Sequence, residues 1–274
     1  MSNIMKRRKK HSSFYLKIFL AGILLFGLTK ISDSQVRAAQ TDLTNVKQEI
    51  SDLDQGKQLF SQGRNMVYNS EASLQEIIAI LNNSKDVFTK LPDGFDKYYW
   101  LAQVEFIIAE AAENSGDKTQ AADRFTESNN FIRKALSFKP KSSDANRLLG
   151  DTIMRLTDYK GGFYMISQGP QAFKLFNHAI KLDPKNYTAM NSLSVYYLYA
   201  PAIGGGSVDK AIEFLQKALE SKDVFDNFIS NVWLGKAFQM KKNKSKAMEF
   251  YNKAILIYPN SSLVKGFLKE LDLI

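Results

Sequence analysis

Two histidines, His11 and His178, are the only imidazoles in this 274-residue chain, and it contains no cysteine. Thiol catalysis, a disulfide framework, Cys-ligated zinc and iron–sulfur clusters are therefore excluded, and so is the N-terminal cysteine of a bacterial lipoprotein. His178 lies between two apolar helix positions, Phe176 and Ala179, with no nucleophile–base pair assembling around it, so it reads as a structural or surface residue. Glu110 and Glu113 fall on one helix and read as a solvated face, not as an acid–base couple. The Gly204-Gly205-Gly206-Ser207 run precedes a helix, where backbone N–H groups can hold an anion. It lacks the lysine of GxxxxGK[ST], so it reads as a turn. No catalytic residue, metal ligand or cofactor is assigned. What remains is recognition chemistry: stiff tyrosines with polar tips at Tyr196, Tyr197 and Tyr199, and scattered arginines.

Positioning such groups requires elements, and these come as repeated helical hairpins. The clearest unit carries Leu234-Gly235, Phe238, Ala247, Tyr251, Ala254 and Pro259. Small Gly235 and Ala247 sit where two helices must touch, Phe238 and Tyr251 fill grooves, and Pro259 ends the second helix because it has no N–H to donate. Lys242-Asn243 occupies the turn where glycine is usual. Upstream, Leu149-Gly150 leads to Ala172, Phe176, Ala179 and Pro184, and Leu193 and Tyr197 lead to Ala211, Leu215 and Ala218. Ala109 and Ala112 precede Gly116, Ala121 and Phe125, in a unit closing at Pro140. Residues 42–89 read as a degenerate hairpin with Ile77, Ile78 and Leu81 at helical spacing. Leu263, Phe267, Leu268 and Leu271 give residues 261–274 one apolar side, as suits a closing cap.

On these residues the chain resembles the tetratricopeptide repeat family over roughly 96–260. The resemblance implies an all-α, right-handed superhelical solenoid of about eleven helices with a concave inner face. The positions that line that face in the family are Arg147, Asp151, Met154 and Arg155, then Asn191 and Tyr199, then Lys236 and Gln239. They imply a modestly basic groove for an acidic or carboxylate-ended peptide. The Lys and Asn pattern of chaperone-tail binders is missing.

Two hairpins carry insertions. Gly235 and Ala247 are 12 residues apart, whereas Gly150 and Ala172 are 22 apart and Ser194 and Ala211 are 17 apart. Both insertions fall between first and second helices, so adjacent hairpins project long turns from the same edge. The turn Ala200-Pro201-Ala202-Ile203-Gly204-Gly205-Gly206 resembles one in T-component proteins associated with TRAP solute transporters. That resemblance implies a ligand-handling role, with Tyr164, Pro201, Gly204, Gly205 and Gly206 as the ligand loop.

The formal net charge of +9 is concentrated at the start. Residues 1–38 hold eight basic residues against one acid, Asp33, and the rest is balanced at 29 basic to 27 acidic. A near-neutral body gives no electrostatic reason to bind nucleic acid. The basic block Lys6–Lys10 followed by the apolar run Ile18–Leu28 has the layout of an export signal, with cleavage expected before Ala39. The alternative is retention of residues 14–28 as a membrane anchor. Either places the body outside the cytoplasm. The expectation is a non-enzymatic exported scaffold, periplasmic or extracellular, taking a protein or peptide partner in its groove.

Overall fold

A computed structural model describes residues 33–272. The expected leader, its apolar core and His11 lie outside them. Among the described residues there are ten α-helices, one short 3-10 turn and no strand. The chain divides into two compact units, Met1–Glu49 and Ile50–Ile274. The described part of the first is helical backbone, in which the expected cleavage point falls; the hairpins are built from the second.

The helices are α1 (Asp33–Asn69), α2 (Leu74–Thr89), α3 (Phe95–Asn114), α4 (Lys118–Phe138), α5 (Ser143–Leu182), α6 (Tyr187–Tyr199), α7 (Val208–Ala218), α8 (Val224–Met240), α9 (Lys244–Ile257) and α10 (Ser262–Asp272). Gly161, at φ 78° and ψ 177°, breaks α5 into two segments. Eleven straight segments result, paired as five antiparallel hairpins and a closing helix.

Starts and stops follow local chemistry. Ser73, Asp117, Ser142, Asn186, Ser207, Asp223 and Asn243 each accept a first-turn N–H at a helix start, and Ser73 forms a reciprocal box with Glu76. Pro140, Pro184 and Pro259 follow helix ends, where no further N–H is needed. Gly116 takes a positive φ of 86° in the α3–α4 turn, and Lys242 takes 57° at the matching place between α8 and α9. The two turns share their bonding, Asp117 N–H to Ala112 O and Asn243 N–H to Phe238 O, both 2.9 Å.

Within hairpins, glycine on one helix meets a ring or branched chain on the other. A Cβ added at Gly150 would stand 2.5 Å from Phe176, and one at Gly235 2.3 Å from Tyr251. The same device holds α1 to α2, where Gly56 faces Phe88 at 2.4 Å and Gly63 faces Leu81 at 2.6 Å. Buried Leu53, Phe60 and Val67 continue that face of α1. Fully buried Glu105 of α3 meets Lys85 of α2 in the neighbouring hairpin at 2.5 Å and Arg124 of α4 in its own hairpin at 3.1 Å. The cap α10 buries Val264 and Leu271 against the last hairpin.

The first hairpin also touches the last. Tyr258 donates to Asn65 at 2.6 Å, Asn260 N–H to Asn69 at 2.9 Å, and Ser262 N–H to Ser70 at 3.1 Å. Tyr68 packs edge-on against Phe225 and Phe228 of α8. The inner helices α1, α3, α5, α6 and α8 thus surround one interior space.

Candidate functional site

That space is a cavity of about 490 Å³. Five of its walls come from the first helices of successive hairpins, because the inner helix of each pair faces the concave side. Phe60, Tyr99, Trp100, Phe106, Phe225 and Trp233 supply aromatic surface. Arg64, Arg147 and Arg155 supply three guanidinium groups, and Glu110, Glu113, Asp144, Asp151, Asp223 and Asp226 supply six carboxylates. The groove is thus not basic by count, which corrects the sequence reading. Besides Asp151, which the repeat register includes, the acids come from α3, from the start of α5 and from the start of α8, positions outside the register's groove set.

Every carboxylate has a protein donor. Tyr68 donates to Glu110 at 2.6 Å across the cavity, and Tyr159 donates to Glu113 at 2.7 Å. Asn186 donates to Asp144, Arg147 to Asp151 at 2.8 Å, and Thr188 and Ser221 to Asp226, each at 2.8 Å. Asp223 caps α8, and Arg155 pairs with Glu113. The guanidinium groups are less complete: the Nε–H of Arg64, Arg147 and Arg155 are all buried without an acceptor. The Arg147 side chain is only 9% exposed. A donor left this way costs about 1–3 kcal/mol.

Burial tunes the titrating groups. Desolvation raises the Glu110 carboxyl, with Arg155 and Tyr68 opposing. It raises Asp226 as well, against bonds from Thr188 and Ser221. Tyr99, beside Gln103 at 2.7 Å, is pushed up to about 12 by burial and then by Asp144. Burial opposes the charge on Arg147, yet Asp151 and Tyr99 hold the guanidinium above its ordinary value.

Of the expected groove residues, the structure brings Arg147, Asp151, Met154, Arg155 and Asn191 together on this cavity. Asn191 is buried and already committed, donating to Asp226 O and accepting from Ser230, so it ties α6 to α8. Tyr199, Lys236 and Gln239 do not line the cavity. Lys236 meets Glu270 of the cap at 2.6 Å, Gln239 accepts from Tyr251, and Tyr199 stands edge-on to Trp233. The cap covers what the repeat pattern marks as groove.

The expected ligand loop is not part of the cavity. Tyr164, Pro201, Gly204, Gly205 and Gly206 lie off the cavity. The N–H groups of Gly204, Gly205 and Gly206 all bond within the turn, to Pro201 O, Ala202 O and Pro201 O, leaving none for an anion. Gly206 is required there, since a Cβ would fall 1.9 Å from Ala200 O. The first insertion is not a loop at all; beyond Gly161 it is helical. His178 is exposed, and among the described residues no group of His, Asp and Glu could hold a metal.

Missed from sequence were Arg64 and Tyr68 of α1 and Tyr99, Trp100, Glu110 and Glu113 of α3. Extending the inner-face positions upstream of Arg147 would have reached them.

A family model described as regulator of microtubule dynamics protein 1-3 matches residues 53–272. The BBSome complex member BBS4 of Bos taurus is 28% identical over 99 residues, which are 36% of this chain and 18% of that protein. The matched stretch is thus under a fifth of that relative's length. A tetratricopeptide repeat protein of Thermus thermophilus aligns with a TM-score of 0.52 at 17% identity, covering 82% of this chain and all of that one. A monomeric IFIT1 variant solved with m7Gppp-AAAA gives a TM-score of 0.52 at 17% identity, covering 88% of this chain and 59% of that one. The fold is a tetratricopeptide-type all-α solenoid.

Proposed function

Since the chain belongs to the regulator of microtubule dynamics protein 1-3 family, with a tetratricopeptide-type fold, we propose that it is a non-enzymatic interaction scaffold that grips a carboxylate-bearing peptide segment of a protein partner in its interior. One observation carries this reading: Arg64, Arg147 and Arg155 line one cavity whose carboxylates all have protein donors. The guanidinium groups offer charge-assisted donors to a peptide carboxylate or main-chain carbonyl, and the aromatic walls take an apolar neighbour. Stacked helices hold the donors in place beforehand, so little ordering is left to binding.

Titration calorimetry with carboxylate-ended peptides tests it. Arg155→Ala and Arg64→Ala should each weaken binding roughly tenfold or more, with helicity kept. Unchanged affinity in both would remove the arginines from the site. The family's description points to microtubule dynamics, and pelleting with microtubules is the direct check of that partner.

A second reading has its own observation. The contacts of Asn65, Asn69 and Ser70 with the α9–α10 turn wall the interior, as a ligand-handling protein requires, though in the centre and not at the long turns. Native mass spectrometry separates the two: a retained small anion favours ligand handling, a co-purifying protein the scaffold. We further propose export, on the N-terminal basic and apolar segments; an intact mass from the native host that includes residues 1–38 would exclude cleavage.

A further inference from the structure

The inner cavity leaves one edge of the solenoid unexplained. It is the edge where first helices turn into second helices. On the inserted part of α5, Phe163 is 87% exposed and Ile166 74% exposed, three residues apart on one helical face. In the next turn Ile203 is 100% exposed. It stands on a turn fixed by its own bonds and by Tyr196 donating to Gly204 O at 2.8 Å. At the following turn Met240 is exposed beside Lys241, Lys242, Lys244 and Lys246.

These tips share an edge. Lys241 pairs with Asp209 at 2.6 Å, which fixes the α8–α9 turn beside the start of α7. Phe173 of α5 packs on Tyr196 and Tyr197, with centroids 4.9 and 5.9 Å apart, which fixes α5 beside the end of α6. Ile166 lies seven residues nearer the turn than Phe173, about 10 Å further out along the helix. Single exposed apolar residues are ordinary; here three successive tips together carry Phe163, Met165, Ile166, Ile203 and Met240, the last among lysines.

We propose that this edge docks on an anionic lipid surface, with Phe163, Ile166 and Ile203 entering the headgroup boundary and Lys242, Lys244 and Lys246 meeting lipid phosphates. The features favour lipid over protein. The apolar groups stand on hairpin tips away from the central cavity, and the tips lack the packed Trp and Arg anchors of protein interfaces. Apolar tips beside lysines are what a charged bilayer boundary accepts. The proposal is independent of what the cavity binds.

The absence of cysteine makes the test direct. Single variants Ile203→Cys and Ile166→Cys of the full chain, and Lys185→Cys in the exposed turn after α5 on the opposite edge, are spin-labelled. They are mixed with vesicles of phosphatidylglycerol and phosphatidylcholine. Labels at 166 and 203 should become shielded from an aqueous nickel relaxant and accessible to oxygen, while the label at 185 stays aqueous. Replacing Lys242, Lys244 and Lys246 together by Gln should lower the shielded population roughly tenfold or more. Labels at 166 and 203 that stay aqueous on vesicles that bind the chain, as binding through residues 14–28 alone would give, overturn the proposal. So does equal shielding on pure phosphatidylcholine, or immobilisation of these labels only when a protein partner is added.

Discussion

Tyr68→Phe removes one oxygen and leaves the ring against Phe225 and Phe228, so it isolates the bond to Glu110. A hydrogen bond to a charged group contributes about 1.5–3 kcal/mol. Both partners are half-buried, so the lower end applies, about 1.5 kcal/mol at neutral pH. The cost must depend on pH. Burial holds the Glu110 carboxyl above its ordinary value, and Tyr68 is one of the groups pulling it down. A carboxyl raised in the folded state contributes most stability below its unfolded value and loses it as pH rises through the folded value. Without Tyr68 the folded value rises further, so the variant is most handicapped where Glu110 is ionised. Once Glu110 is protonated the lost bond is a neutral one, about 0.5–1 kcal/mol. Urea unfolding of both proteins at about pH 7.5 and about pH 4.5 reads the difference directly. A cost equal at the two pH values, or below about 0.5 kcal/mol at neutral pH, would refute the assignment of Glu110 as a raised, Tyr68-held carboxylate.

Glu110→Gln keeps an acceptor for Tyr68 and removes the titration, so its stability against pH should be flatter than wild type from neutral to acid, read by thermal melts. Gly235→Ala drives a methyl into fully buried Tyr251 and should cost about 1–3 kcal/mol. Gly266→Ala, with nothing within 4 Å, should gain about 0.5–1 kcal/mol in the same denaturation assay. Lys242→Gly relieves a left-handed backbone that Gly116 occupies without penalty and should stabilise by about 1 kcal/mol. Arg147→Ala removes the partner of part-buried Asp151 and should cost about 1–3 kcal/mol, measured by urea midpoint.

The repeat fold is readable from Gly235 with Tyr251 and Gly150 with Phe176, because a small residue and a ring at fixed spacing report a contact between helices close in sequence. The same signal is present in α1, where Leu53, Gly56, Phe60, Gly63 and Val67 recur every three or four residues. Charged and polar neighbours dilute it. The cavity was legible only in part. Arg147 and Arg155 follow from the repeat register, but the partners that decide their state do not. Tyr68 reaches Glu110 from 42 residues away and Tyr159 reaches Glu113 from 46. Such pairings arise from how hairpins stack, which local periodicity does not encode. Lys236 and Gln239 fail for a related reason: the register marks them as open groove, and Glu270 of the cap sits over them.

The bonds from Asn65, Asn69 and Ser70 to the α9–α10 turn also set a rule for how this chain can change in length. An open solenoid tolerates gain or loss of a whole repeat, because each unit touches only its neighbours. Here the first and last hairpins are joined, so the number of links between them is fixed, as in a clasped bracelet. Duplication or deletion of a hairpin would separate Tyr258 from Asn65 and open the interior. Residues can be added only where they leave the clasp alone, at the outer tips of the hairpins. The extra lengths after Gly150 and after Ser194 are both found there.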